Sequence, residues 1–449
     1  MNVKRGTRVR WVLASWLFVL SAVAFLDRTN VSIAGLQMSK EYALGNERLG
    51  WMASAFLIAY AAFQVPAGWV SARYGPRLVL TFAVLWWGVA TALTALLPSS
   101  VSHAAMILVA LRFGLGVGES VIYPAANQFV MRWFPAEERG FVNGLIFAGV
   151  GAGSGLTPPL LTWLILNHGW RSAFWFSALV GLVAGVVWWW MARDRPEDHP
   201  WVQQAELTLI CGAGNDQPAI PQVKPSGRVI HTIPWRLILS RTDLLALMGA
   251  YFGFLYVAWI YFSWFFIYMA QVRGFDMKAS ARYTMLPFLS MTVFCLLGGK
   301  LSDVFTSKYG FRAGRCWLSA GASLLTAVFL VIGSQTHSPQ LAGVILALGA
   351  GALYLSQSSY WAVAIDIAGA SSGVFSSMVN MGGQIGGAVT ASLTPWLAHR
   401  LGWTTSFAVA AGFALLSAVL WLTVHPERPL GQEISARSAV EAEQTRSPT

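Results

Sequence analysis

Four ionisable residues fall inside apolar stretches of this 449-residue chain: Asp27, Arg28, Arg112 and Glu119. Asp27 and Arg28 are neighbours at the deep end of "WVLASWLFVLSAVAFLDR", and Arg112 and Glu119 sit seven apart in "LRFGLGVGES". On an α-helix, a spacing of seven puts two side chains on one face, about 20° apart in azimuth and about 10 Å apart along the axis. A charge at the centre of a membrane helix costs about 2.5–3.5 kcal/mol on insertion scales, so such residues are kept for a reason. Two acids and two bases sum to zero, which lowers that cost. Carboxylates in a low dielectric exchange protons near neutral pH. A guanidinium stays charged and offers a fork that fits a carboxylate. The chemistry on offer is proton exchange beside an anion anchor. A blander alternative is a neutral cluster that only ties two helices together.

The elements that carry these residues follow from composition. Of the residues, 56% are hydrophobic and 11% are charged; soluble proteins carry about 25% charged residues. Apolar runs of about 20 residues, long enough to cross a bilayer, predict twelve spans: 11–36, 49–70, 78–98, 103–130, 141–166, 172–192, 242–270, 280–301, 315–334, 341–366, 373–398 and 404–424. The fold class is all-α integral membrane, with twelve transmembrane helices in two pseudo-symmetric six-helix bundles. A β-barrel would show short alternating segments instead. The first span also has the basic start and small residues of a signal peptide, but removing it would break the symmetry of the halves.

The chain divides into an N-terminal bundle at 1–192, a polar linker at 193–241, a C-terminal bundle at 242–424 and a tail at 425–449. A surface helix is expected near 201–210. The halves repeat one another. "RYGPR" at 73–77 returns as "KYGFR" at 308–312, and "HGWRSAF" at 168–174 returns as "LGWTTSF" at 401–407. The offsets of 235 and 233 place duplicated units at half the chain length. With both termini cytoplasmic, twenty-one of the thirty Lys and Arg fall on the cytoplasmic side, seven opposite and two inside spans. That bias obeys the positive-inside rule. The net charge of +11 therefore reports topology, and no basic soluble module suggests nucleic acid. A multi-pass protein of a bacterial inner membrane is expected, as a monomer.

Several chemistries are excluded. Cys211, Cys295 and Cys316 have no metal or redox spacing. "GVGAGSG" at 149–155 lacks the Lys-Ser/Thr of a phosphate loop and lies inside a span. No nucleophile–base pair or metal set is present, so no catalytic residues, metal or cofactor are expected beyond a coupling proton.

The motifs resemble a known family. "GWVSARYGPR" (68–77) is similar to the loop signature of the major facilitator superfamily through Gly68, Arg73, Gly75 and Arg77, with Ala72 where the signature has Asp. The second copy keeps the acid as Asp303. "DRTN" at 27–30 and "LRFGLGVGESVIYPAANQFVMRWFPAEERG" at 111–140 resemble the anion:cation symporter family within that superfamily. The resemblance covers nearly the whole chain. It implies a proton-coupled importer of a small organic anion, a sugar acid or an aromatic carboxylate. Asp27 and Glu119 would carry protons and Arg28 would hold the carboxylate, with Asp27 partly holding the guanidinium when no anion is bound. Tyr60 would meet substrate hydroxyls, and Ser358 and Trp361 would add contacts. Arg112, Gly68, Arg73, Arg77 and Asp303 would serve structure and gating.

Periodicity adds Gln64, one turn after Tyr60, and the amide pair Asn380 and Gln384, also four apart on one face. Tyr256 is a further candidate from span seven. Phe25 and Phe147 stand where sugar-acid members often have polar residues, which tilts the expected cargo toward an aromatic or less hydroxylated acid. An organic anion exchanger or a drug/proton antiporter of the same fold is the alternative. A phosphate exchanger would be expected to place an Arg in each half, and a sensor would need a larger soluble domain.

Overall fold

The computed structural model describes residues 7–44, 46–211 and 238–430. Most of the predicted linker and tail, at 212–237 and 431–449, lie outside the described residues, as does the side chain of Cys211. The first half holds Val9–Glu41, Asn46–Tyr74, Pro76–Leu96, a fourth span in two pieces (Ala104–Glu119 and Ile122–Trp133), Arg139–His168 and Trp170–Met191. The second half holds Thr242–Ser263 with a short π-helical extension, Met277–Tyr309, a ninth span that opens π-helically at Arg312–Trp317 and continues as Leu318–Gln335, a tenth in two pieces (Pro339–Leu355 and Gln357–Ala368), Ser372–Leu401 and Trp403–Leu422. All twelve expected spans are present as helices. Eleven are long and apolar enough to cross a membrane by composition alone; Ser372–Leu401 is the exception. It carries Asn380, Gln384 and a run of glycines, and it lies in the centre of the molecule.

The repeated motifs are turns. Gly75 and Gly310 have φ of +91° and +88°, and Gly169 and Gly402 have +79° and +87°. Side chains with a Cβ are strained there, so the duplicated glycines end equivalent helices. The packing is duplicated too. Span one packs on five, two on four and three on six; seven packs on eleven, eight on ten and nine on twelve. Across the halves, five meets eight and two meets eleven. Spans four and ten break at equivalent serines. Ser120 Oγ donates to Val117 O at 2.7 Å, and Ser356 Oγ to Leu353 O at 2.8 Å.

The linker begins with a helix at Gln204–Cys211, close to the expected 201–210. Its Glu206 is 2% exposed. The carboxylate accepts from the backbone N–H groups of Val9 (3.2 Å) and Arg10 (3.1 Å), from Thr7 Oγ1 (2.6 Å) and from the Arg10 guanidinium (3.2 Å). An acid at the open N–H groups of a helix start both caps it and meets its dipole. Arg10 also binds Glu138, in the loop before span five, at 3.0 Å. The linker thus fastens the start of span one to the first bundle.

The halves are closed together at the linker face. A Cβ on Gly68 would lie 2.5 Å from the Gly373 carbonyl, one on Gly299 2.5 Å from the Gly140 carbonyl, and one on Gly144 2.5 Å from the Cys295 carbonyl. Asp303 reaches across from span eight. It accepts from Gly140 N at 2.9 Å and Phe141 N at 2.6 Å, capping span five, and pairs with Arg315 at 2.8 Å. Arg315 also donates to Ala136 O (3.0 Å) and, with Arg139, binds Asp366 (3.3 and 3.5 Å). Arg315 counted as a face cation in the sequence; here it is fully buried. The equivalent position on span two is Ala72, which brings no acceptor, so that seam is glycine against glycine. Arg73 and Arg77 stay on the first half. Arg73 is exposed beside Trp69 and Tyr74, while Arg77 donates to Trp189 O and its backbone N–H to Asp194.

Removing one partner of a buried ion pair costs about 3–5 kcal/mol. The Asp303–Arg315 pair lies within the second half. The contacts of Asp303 that cross to the first are those from Gly140 N and Phe141 N, each a hydrogen bond to a charged group worth about 1.5–3 kcal/mol. Asp303→Ala is therefore expected to weaken the closed linker face by that order. The labelling rate of Cys295, buried on this seam, should rise with a permeant thiol reagent. An unchanged rate would remove Asp303 from the closure.

Candidate functional site

The four buried charges lie midway along spans one and four, but their pairing differs from the sequence expectation. Successive residues on a helix point about 100° apart, so Asp27 and Arg28 look in different directions. Arg28 Nε binds Glu119 Oε2 at 2.5 Å. Asp27 turns toward the back of its own bundle, where its Oδ1 accepts from Thr91 at 3.1 Å and Asn30 at 3.4 Å. Asn30 in turn accepts from Ser177 at 3.3 Å. Arg112 donates to the Asp27 carbonyl at 3.4 Å, and its guanidinium carbon is 5.8 Å from the centre of the Phe174 ring. Asp27 thus does not hold the Arg28 guanidinium; Glu119 does.

Arg28 is built to be re-bound. Its guanidinium carbon is 4.6 Å from the ring centres of Phe25 and Tyr60 and 5.6 Å from Phe56. A cation over aromatic faces is attracted by the rings' quadrupoles. Among the described residues, Arg28 Nη2 and Glu119 Oε1 have no hydrogen-bond partner. Glu119 is fully buried and ends the first piece of span four.

The neutral candidates divide. Gln64 and Asn380 meet across the halves: Asn380 Nδ2 donates to Gln64 Oε1 at 3.0 Å. Gln384 Nε2 reaches Asn380 Oδ1 at 3.5 Å. Tyr60 lies over Arg28, one turn from Gln64. Trp361 joins an aromatic floor between the halves, its ring centre 4.9 Å from Phe147 and 5.8 Å from Tyr123, which stacks on Phe147 at 4.5 Å. Ser358 is buried one turn from Trp361, with its hydroxyl unpartnered among the described residues. Tyr256 is not brought to this centre. Its hydroxyl meets Thr394 at 3.5 Å and its ring packs on Phe413 at 4.4 Å, facing spans eleven and twelve. Tyr251 faces the floor instead; it contacts Trp361 at 6.3 Å and accepts from Gln357 Nε2 at 3.1 Å.

Sequence reasoning missed Tyr123, Tyr251 and Gln357. Tyr123 had a signal, since it follows Glu119 by four. Tyr251 had none, because span seven is aromatic on every side.

At the offset of 235, Asp27 and Arg28 correspond to Phe262 and Ser263; aligning the breaks at Ser120 and Ser356 sets Glu119 against Leu355. Among the described residues, the charges at this centre come from the first half, and the second faces them with amides, hydroxyls and rings. Phe25 and Phe262 touch across the halves at 5.9 Å.

Two six-helix bundles about one buried, polar centre have the architecture of a membrane transporter. The chain belongs to the Major Facilitator Superfamily, whose family model matches residues 17–391. It is 30% identical over 430 residues to the "Probable sulfoacetate transporter" of Cupriavidus necator, covering 94% of this chain and 96% of the relative. It is 28% identical over 432 residues to the "Probable galactarate/D-glucarate transporter" of Escherichia coli, covering 93% and 94%. Among solved structures, a proton:xylose symporter bound to 6-bromo-6-deoxy-D-glucose superposes with a TM-score of 0.71 at 14% identity, covering 92% and 96%. A superfamily transporter in the outward conformation gives 0.68 at 16%, covering 92% and 99%. These two share the fold.

Proposed function

We propose that this protein imports a small organic anion together with protons, by alternating access across a bacterial inner membrane with both termini cytoplasmic. The observation that carries the reading is Arg28, paired to Glu119 and set beside rings where the halves meet. A carboxylate or sulfonate and the Glu119 carboxylate compete for the same guanidinium. Protonating Glu119 releases Arg28, so the anion binds best to the protonated carrier. Two ligands that favour each other's binding are thermodynamically coupled, and that coupling is symport. Asp27, held apart by Thr91 and Asn30, is a second proton site.

The relatives named for sulfoacetate and for galactarate and D-glucarate, all anions, support the substrate class. Asn380, Gln384, Ser358 and Trp361 would receive the rest of the molecule. The ring floor of Tyr123, Phe147 and Trp361 favours an aromatic or less hydroxylated acid over a polyol acid.

The test is uptake into proteoliposomes in sodium-free buffer, acid outside, with a panel of sulfonates, aldarates and aromatic acids. Accumulation that follows the pH gradient is expected. Uptake indifferent to that gradient but requiring sodium would overturn the proton reading.

A further inference from the structure

Below the aromatic floor, toward the linker face, span four carries Asn127. It is 1% exposed, and among the described residues neither its Oδ1 nor its Nδ2 has a hydrogen-bond partner. A buried amide with both ends unmet is costly, and native interiors rarely keep one. Replacing it with an apolar group would be cheaper in the closed form.

Its direction follows from its neighbours. Tyr123, four residues earlier, meets Phe147 and Trp361. Pro124 and Gln128, on the next strip of the helix, face Gly373: a Cβ there would lie 3.6 Å from the Pro124 carbonyl and 3.5 Å from Gln128 Oε1. Asn127 falls between these two strips, so it is aimed at the seam where span four meets spans ten and eleven. Other unmet polar atoms of the second half lie by that seam: Trp361 Nε1, whose ring meets Tyr123, and Ser372 Oγ, beside Gly373, both on buried residues.

We propose that Asn127 is the first hydrogen-bonding station on the linker side of the site, and that its unmet amide keeps the closed linker face from becoming too stable. This rests on the transporter reading above. When the linker face opens, the amide gains water or the departing anion: Nδ2 donates to a carboxylate oxygen and Oδ1 accepts from a hydroxyl. A neutral amide holds the anion less tightly than Arg28 does, so the anion moves on. When the face closes, the amide is stripped again. The closed form bears this desolvation and the open form does not, so the residue shifts the balance toward opening.

Asn127→Leu removes the penalty at similar volume and Asn127→Asp enlarges it, so the two variants should move the balance in opposite directions. The readout is the distance between spin labels at Tyr74→Cys and Tyr309→Cys, both exposed at the linker face on opposite halves, in a background without native cysteines. Asn127→Leu should cut the long-distance, open population about tenfold, and Asn127→Asp should raise it. In vesicles, Asn127→Leu should slow counterflow by about tenfold while anion affinity from the opposite face stays within about twofold. If the leucine variant does not fold, Asn127→Ser, with a smaller polar group, should give the same direction at lesser size. Wild-type distance distributions in Asn127→Leu would overturn the proposal. Weakened binding from the opposite face would overturn it too, by placing Asn127 in the primary site. The distances need no substrate. A failure of the transport reading would show instead as a wild-type protein that carries no anion while its distances still respond.

Discussion

Glu119→Gln is expected to bind the anion and exchange it across the membrane, yet to lose accumulation against a gradient. Glutamine copies the protonated acid in shape and neutrality. Arg28, held by Glu119 at 2.5 Å in the empty site, would lose its internal anion and stay open to an external one, so affinity should hold or rise. Exchange needs no proton release and should continue. Net import requires the empty carrier to shed its proton and reform the Arg28–Glu119 pair, and glutamine can do neither. The measurement compares counterflow with gradient-driven accumulation in the same vesicles. Retained accumulation would take Glu119 off the proton path. Loss of counterflow, accumulation and binding together would reduce it to a structural counter-ion.

Arg28→Lys should lower anion affinity by tenfold or more, about 1.4 kcal/mol or above. The guanidinium carbon lies 4.6 Å from the ring centres of both Phe25 and Tyr60. Its Nε is taken by Glu119 while Nη2 is unpartnered among the described residues. Once Glu119 is protonated and lets go, the whole planar fork is free for the anion. A lysine ammonium has no planar fork and only one nitrogen. The assay is equilibrium binding to purified protein whose thermal unfolding matches wild type. Unchanged affinity would leave Arg28 a role in structure alone.

The spans, the duplication and the charged centre were legible because each rests on strong local signals. Twenty apolar residues in a row, a glycine turn seen twice, and a charge where water is absent all stand out in one dimension. Partners were harder to read. Asp27 and Arg28 are adjacent in the chain, yet helix geometry sends them to Thr91 and to Glu119. Arg315 fell among the cytoplasmic-side cations in the charge count, and only the folded contact with Asp303 and Asp366 shows it buried. Tyr256 failed because burial does not fix direction: span seven has rings on every side, and Tyr256 uses its ring on Phe413. Glu206 lay in a polar segment whose composition reads as linker, and its role as the cap of span one depends on a contact nearly two hundred residues away.

That the central charges come from the first half bears on how such a protein can change over generations. Phe262, Ser263 and Leu355 occupy the places that Asp27, Arg28 and Glu119 hold in the first copy. On the proposed mechanism, the first half would carry the energy coupling and the second would shape what is carried. Substitutions at Trp361, Asn380 or Gln384 would then retune the cargo while the first half stays intact, so lineages could drift from one acid to another without passing through a form that has lost its drive.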